Sequence, residues 1–250
     1  MTNTLRVATF NIHKGFSHFN WRMAVHELRD KLQALSVDIL FLQEVQGAHN
    51  RHHLRYKNWP AQPQYEFLAD NVWTEFAYAK NAVYDHGHHG NAILSRYSIV
   101  NWASENISSH RFENRGLLHC ELQIPDWPKR LHCINVHFGL LAAWRRQQLQ
   151  ALCSRIERLV PPDEPLIIAG DFNDWRRQAS VELADALRLE EVFEVTRGRP
   201  ARSFPSSLPM FYLDRIYVRG LQIKDAHVHH GRAWSMISDH APLSTTLVRI

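Results

Sequence analysis

Residues 165–175, PLIIAGDFNDW, decide how this chain is read. Leu166, Ile167, Ile168 and Ala169 form a short apolar run of the kind that makes a buried strand, and Gly170 permits a sharp turn directly after it. The strand therefore delivers Asp171 and Asn173 at its carboxyl end. Open α/β sheets place ligands there, and a carboxylate and a carboxamide two residues apart can hold a cation, a water or a phosphate oxygen. Asp and Asn are also common turn formers and helix caps, so the stretch alone leaves a plain turn open. The rest of the chain decides, because it supplies the same kind of polar strand end repeatedly.

Upstream, LRVATFNI (5–12) is β-prone and ends on Asn11, a residue disfavoured inside strands. Val25, Leu28, Leu32 and Leu35 recur at helical spacing and predict a helix over 21–36. ILFLQEV (39–45) reads as a second strand closing on Glu44, whose burial would need a partner. Residues 47–63 read as a polar loop carrying Arg51, His52, His53, Arg55 and Lys57, either solvated or facing a substrate. The run DHGHHG (85–90) places Asp85, His86, His88 and His89 before a strand over 91–95. It invites a zinc reading but lacks the spaced Cys or HxxxH pattern of zinc sites.

Two further strands, 116–124 and 130–138, put Arg115 at the entrance of one and His137 near the exit of the other. Leu149, Leu152, Ile156 and Leu159 predict a helix over 142–160, stopped by Pro161-Pro162, with Arg145 and Arg146 on a solvated face. Another helix is expected over 180–189. RGRPAR (197–202) is a basic turn able to touch phosphates. FYLDRIYV (211–218) reads as a strand with Asp214 in its middle, an acid that needs a partner there. Ser238, Asp239 and His240 then precede a final strand.

Composition sets the frame. The chain has 250 residues, 45% hydrophobic and 22% charged, ordinary values that argue against disorder or a fibrous chain. Lys and Arg total 29 against 25 Asp and Glu, a formal net charge of +4 that attracts polyanions mildly. Three cysteines without a CxxC spacing suggest a reduced, cytoplasmic setting, and no secretory signal or membrane span is visible. Strand and helix signals alternate along the whole length without a linker or repeat, so residues 1–250 read as one α/β domain.

Collected, the polar strand ends are Asn11, Glu44, His137, Asp171, Asn173, Asp214, Asp239 and His240. Oxygen ligands dominate and no Cys is among them, which favours a hard cation such as Mg2+ or Mn2+ over zinc. The set resembles the endonuclease/exonuclease/phosphatase superfamily, which includes DNase I, exonuclease III-like repair nucleases, neutral sphingomyelinases and inositol polyphosphate 5-phosphatases. The segments that carry the resemblance are TFNIH, LQEV, GNAILSR, NVHF, GDFND, LDRIYV and SDHAPL, in the family's order between residues 9 and 243. Details such as NIHKGF, GHHGNA and GDFNDWR are similar to a bacterial branch whose name does not fix a substrate.

The resemblance implies a four-layered α/β sandwich, two packed mixed sheets with helices outside and the site at one end. It implies a Mg2+- or Mn2+-dependent hydrolase of phosphoesters, foremost phosphodiesters. In that family's terms Glu44 is the principal metal carboxylate, with Asn11 and Asp239 beside the same ion. Asp171 orients or deprotonates the attacking water, Asn173 holds that water or the phosphate, and His240, oriented by Asp214, stands at the phosphate. His137 serves the leaving-group side, and Arg115 binds a phosphate oxygen. One departure is His13, where repair nucleases of the family often carry an acid, which weakens an abasic-site reading.

Three functions compete. A nucleic-acid phosphodiesterase is favoured by the basic excess and the arginines around Arg51, Arg176, Arg177 and Arg199. A phospholipid or small phosphoester substrate would use the same chemistry, with Trp73, Trp175 or Trp234 meeting a lipid interface. A non-catalytic module is disfavoured because every carboxylate and histidine the chemistry needs is present.

Overall fold

The computed structural model describes residues 3–17, 22–110, 113–176, 181, 183 and 186–250, the side chain of His53 excepted. Arg177 and residues 180, 182, 184 and 185 of the helix expected over 180–189 lie outside the described residues. Twelve strands are described: β1 (Thr4–Asn11), β2 (Ile39–His49), β3 (Glu75–Tyr84), β4 (Gly87–Ser95), β5 (Ser98–Asn106), β6 (Gly116–Gln123), β7 (Leu131–His137), β8 (Leu166–Asp171), β9 (Glu190–Glu191), β10 (Asp214–Arg219), β11 (Leu221–Val228) and β12 (Leu243–Arg249). They form two six-stranded sheets, ordered β11-β12-β1-β2-β4-β3 and β5-β6-β7-β8-β10-β9. Each sheet is mixed, with one parallel pair near its centre, β1 with β2 and β7 with β8.

The four layers follow from strands buried on both faces, which read in sequence as near-continuous apolar runs. Leu5 and Val7 of β1, Ile39 and Phe41 of β2, Leu131 and Cys133 of β7, Ile167 and Ala169 of β8, and Ile216 and Val218 of β10 meet in one core between the sheets. The alternate residues face outward. Ala8, Phe10, Leu40 and Leu42 pack against Val25, Leu28 and Leu32 of α1 (Val25–Ala34) and Phe67 and Leu68 of α3 (Gln64–Ala69), which follows the short α2 (His52–Arg55). On the far side, Ile134, Val136, Leu166 and Ile168 pack against Leu149, Leu152 and Ile156 of α4 (Ala142–Leu159). No helix of the described residues is long and apolar enough to cross a membrane.

Strand periodicity of two also makes the site. Along the face that looks between the sheets, β1 reads Leu5, Val7, Thr9, Asn11 and β2 reads Ile39, Phe41, Gln43. β7 reads Leu131, Cys133, Asn135, His137, and β8 reads Ile167, Ala169, Asp171. β10 is antiparallel to β8 and reads the same sequence backwards, Val218, Ile216, Asp214. Each strand therefore turns from apolar to polar at one end of the inter-sheet layer. Two amides bind that end together. Asn135 Nδ2 donates across the gap to the carbonyl oxygens of Leu42 and Ala92, both at 2.8 Å, while its Oδ1 accepts from Gln43 Nε2 at 2.7 Å.

Glu44 is out of phase with this pattern, and the backbone corrects it. Leu42 pairs with Ala92 and Val45 with Gly90, so β2 carries one extra residue at this point, a β-bulge. Glu44 sits in the bulge at φ 55°, a left-handed conformation rarely held by a non-glycine residue without compensation. Gly170 has a similar origin. A Cβ there would lie 2.0 Å from the Val136 carbonyl oxygen, so only glycine lets β8 approach β7 closely enough to bring Asp171 beside His137.

Several element boundaries differ from the sequence reading. β2 does not stop at Glu44 but runs on through the bulge to His49, and part of the expected 47–63 loop is helix α2. The aromatic stretch 65–78 divides into α3 and the start of β3, and β5 was without a strand signal. Asp214 opens β10 rather than standing in mid-strand, because Phe211 leaves the sheet to form an isolated bridge with Phe204. Arg145 is buried, not solvated. It donates to the Gly139 and Leu140 carbonyls, and its guanidinium lies 4.8 Å from the Trp175 ring centroid. Trp73 and Trp234 are buried, whereas Trp175 is 40% exposed.

Replacing Asn135 by Leu would orphan the Leu42 and Ala92 carbonyls inside the protein. The expected loss is roughly 3 kcal/mol of stability, read from the urea unfolding midpoint. An unchanged midpoint would remove Asn135 from its role as the tie between the sheets.

Candidate active site

The register of β7, β8 and β10 sets His137, Asp171 and Asp214 opposite one another in a single row across the sheet. Asn11 and Glu44 come from the facing sheet. His240 comes from the segment between α6 (Arg232–Ser235) and β12. These residues border a cavity of about 440 Å3 whose lining includes Asn11, Glu44, Arg115, His137, Asp171, Asn173 and His240. Its other wall is apolar, made by Leu140, Trp175, Phe204, Phe211 and Leu213.

Asp171 is the hub. Its Oδ2 accepts from Asn11 Nδ2 at 3.1 Å and lies 3.6 Å from His137 Nε2 and 3.8 Å from His240 Nε2. Its Oδ1 accepts from the backbone N–H of Asn173 at 2.9 Å. Burial, together with the negative field of Asp214, pushes the Asp171 carboxyl up to about 7, against the lowering effect of His240 and the two hydrogen bonds. His240 turns Nδ1 to Asp214 Oδ2 at 2.8 Å, which directs Nε2 toward Asp171 and the cavity. Burial works against charging His240, but Asp214, with Asp171 and Asp239, more than reverses it and raises the imidazole to about 10. His137 behaves oppositely. Burial and the nearby Arg115 hold it well below the ordinary histidine range.

Glu44 remains ionised. Burial alone would raise it, yet the surrounding imidazoles of His137, His13 and His89 and the Lys14 ammonium, the standing positive charge beside it, bring its carboxyl down to about 2. Its Oε2 is buried without a hydrogen-bond donor, and Lys14 Nζ stands 3.3 Å away as a charge partner. A buried, ionised oxygen that makes no hydrogen bond and has the Lys14 charge as its partner is one that a divalent cation would also satisfy. With Asn11 on the same wall, this corner offers the oxygen donors that Mg2+ or Mn2+ prefer. Among the described residues, the tightest group of three Asp, Glu or His donors is Asp171, Asp214 and His240, all within 4.8 Å. There the His240–Asp214 hydrogen bond already occupies one donor of each partner, so the Glu44 corner fits an ion better.

The remaining expected residues fall around this centre. Arg115 Nε and Asn173 Nδ2 both donate to the Phe138 carbonyl, at 3.0 and 2.9 Å, which holds both side chains at the rim. Asn173 is at φ 49°, a second left-handed non-glycine residue in the site. Asp214 stands behind His240 and does not line the cavity. Asp239 does not line it either, and its Oδ1 faces Ser238 Oγ at 3.4 Å. His88 Nδ1 lies 2.9 Å from the Tyr78 hydroxyl.

Sequence reading missed Lys14, which reaches Glu44 from a single 3-10 turn at His13–Gly15, with φ of 45° at His13 and 58° at Lys14. It also missed the apolar wall. Phe204 comes from a loop with no periodic signal, Phe211 reads as the start of a strand over 211–218 but lies outside β10, and Leu140 precedes α4. The placement of His13 and Lys14 between a strand end and a glycine was the one available hint.

A family model described as the Endonuclease/Exonuclease/phosphatase family matches residues 8–240. The chain is 46% identical over 244 residues to the Uncharacterized protein YbhP of Escherichia coli (strain K12), covering 98% of this chain and 96% of that protein. The human Nocturnin catalytic domain with bound sulfate anion superposes with a TM-score of 0.75 at 18% identity, over 98% of this chain and 93% of that one. D. rerio TDP2 complexed with single strand DNA product gives 0.70 at 17% identity, over 98% of both chains. These two likenesses are of fold.

Asp214→Asn should lower the His240 pKa toward the ordinary histidine value. The charged imidazole, now present through neutral pH, would then be lost as pH rises through about 6.5. Ring resonances of His240 followed by NMR in EDTA test this, and an unmoved titration would separate Asp214 from the control of His240.

Proposed function

The chain belongs to the endonuclease/exonuclease/phosphatase family, and from this premise we propose that residues 1–250 act as one divalent-metal-dependent hydrolase domain cleaving phosphodiesters in nucleic acid. The supporting observation is the convergence of Glu44, Asp171 and His240, from three separated parts of the chain, on one 440 Å3 cavity.

In this reading Glu44 and Asn11 hold the ion, while Asp239, which does not line the cavity, acts through its negative field on His240. Bound Mg2+ or Mn2+ supplies Lewis acidity toward the phosphate and stabilises the charge that grows on the ester oxygens. The chain's own groups do the rest. Asp171, a carboxyl with a pKa of about 7, accepts a proton from the attacking water at neutral pH, the poise a general base requires. His240 presents a proton on Nε2 to a phosphoryl oxygen, and Asp214 keeps that orientation through Nδ1. Arg115 and the second amide N–H of Asn173 stabilise another oxygen of the same phosphate. His137, neutral at working pH, offers the leaving oxygen an N–H hydrogen bond rather than a full positive charge.

The apolar wall suits a nucleic-acid substrate. Phe204, Phe211 and Trp175 present ring surfaces beside the reactive groups, and any base can stack on such a surface. One observation favours a second reading, a phospholipid. Leu140, Leu141, Leu208, Met210 and Phe211 are all 44% or more exposed near the mouth, as loops that dip into a bilayer surface are.

The test is hydrolysis of bis(p-nitrophenyl) phosphate, plasmid DNA and phospholipid vesicles with Mg2+ or Mn2+. Cleavage of the first two, abolished by EDTA, is expected. Glu44→Gln and His240→Ala should each lower kcat/KM by about 100-fold or more with the melting temperature retained. Metal-dependent activity untouched by either substitution would refute the site. Headgroup release with DNA left intact would move the substrate to lipid.

A further inference from the structure

The basic turn Arg197–Arg202 is not part of the catalytic cavity, yet it is not a plain solvated loop. It follows α5 (Val192–Arg197), and Gly198 ends that helix in the left-handed conformation at φ 70°. The turn then borders a second cavity of about 420 Å3. Arg197, Arg199, Arg202 and His230 contribute to its lining, with the hydroxyl residues Ser206 and Ser207, and none of its lining residues is acidic. In a chain with a net charge of only +4, three guanidiniums around one hollow whose lining carries no acid concentrate positive potential there.

Two of the arginines are held in place. Arg197 donates to the Ala226 carbonyl on β11, and Arg202 Nε donates to the Tyr212 hydroxyl at 3.2 Å. Such anchoring lowers the entropy lost when a guanidinium meets an anion, and the fork of donors on each matches phosphate oxygens.

The two cavities share one wall. Phe204, Phe211 and Leu213 face the catalytic cavity, while Arg202 and Ser206 of the same loop face the basic one. That loop is tied directly to the catalytic residues. Ser203 Oγ accepts from the Asp214 N–H at 3.3 Å, Ser206 N–H donates to the Asp239 carbonyl at 2.7 Å, and Ser206 Oγ donates to the Ser238 carbonyl at 2.6 Å. Only one loop separates the basic hollow from His240.

We propose that the basic cavity is a second phosphate site, which binds a backbone phosphate of the same nucleic-acid strand whose scissile phosphate occupies the catalytic cavity. This deepens the nucleic-acid reading and rests on it. The site contributes affinity and register but no chemistry, since phosphate contacts position a strand without reading its bases. A diester too small to reach across the loop does not use it.

The double variant Arg199→Gln/Arg202→Gln leaves every catalytic group in place and tests the assignment. Activity on bis(p-nitrophenyl) phosphate should stay within about twofold, while KM for a labelled single strand of about 20 nucleotides rises roughly tenfold with kcat unchanged. Its salt dependence should also become shallower. Anisotropy of the same strand in EDTA reads binding without turnover, so the cavity is tested even where cleavage fails. Weaker binding by the variant supports it. Equal binding and equal KM overturn it while leaving the hydrolase reading intact. Loss of binding to phosphatidylglycerol vesicles, with strand binding unchanged, also overturns it and makes the bound anion a lipid headgroup.

Discussion

The inter-sheet layer ends in polar groups, and the Asn135 carboxamide keeps that end closed. β2 bulges directly after Leu42, and Asn135 reaches across from the other sheet to the carbonyls of Leu42 and Ala92. Buried carbonyls without donors are unfavourable, so the two sheets are tied at the point where the polar side chains of the cavity face each other. The bulge and the amide work as a pair. Without the extra residue Glu44 would point outward, away from Asn11 and Asp171, and without Asn135 the Leu42 and Ala92 carbonyls would lose the donor that reaches them from the facing sheet.

Around this lock, charge is arranged in opposition. Glu44 sits beside the Lys14 ammonium and stays ionised, whereas Asp171, on the facing sheet but in the same cavity, sits in a drier and more negative place and holds its proton up to about 7. The two histidines divide in the same way, His240 charged by Asp214 and His137 kept neutral by burial beside Arg115. Pairs of like groups driven apart by their surroundings are the usual means by which one pocket carries both an acid and a base. The geometry needs strain to achieve it, visible as left-handed backbone at Lys14, Glu44 and Asn173.

The loop from Ser203 to Leu213 connects the catalytic centre to the rest of the surface. Its aromatic residues form one wall of the first cavity, its hydroxyls hold the backbone beside His240, and the basic turn that precedes it borders the second hollow. The two cavities therefore share a single piece of scaffold, and the polar and apolar halves of the first meet along it.

Much of this was readable along the chain. Apolar runs ending on Asn11, Glu44, His137 and Asp171 were local signals, since a strand's side-chain alternation and a polar residue at its end are properties of a few neighbouring residues. Those signals gave the α/β class, and the order of the motifs gave the family. What the chain could not show depends on distance in space. The bulge that turns Glu44, the start of β10 at Asp214, the burial of Arg145 under Trp175 and the reach of Lys14 to Glu44 each arise from a partner far away in sequence or from backbone dihedrals that no residue type dictates. Local composition settled which groups were present, and packing between the sheets settled which way they point and how they are charged.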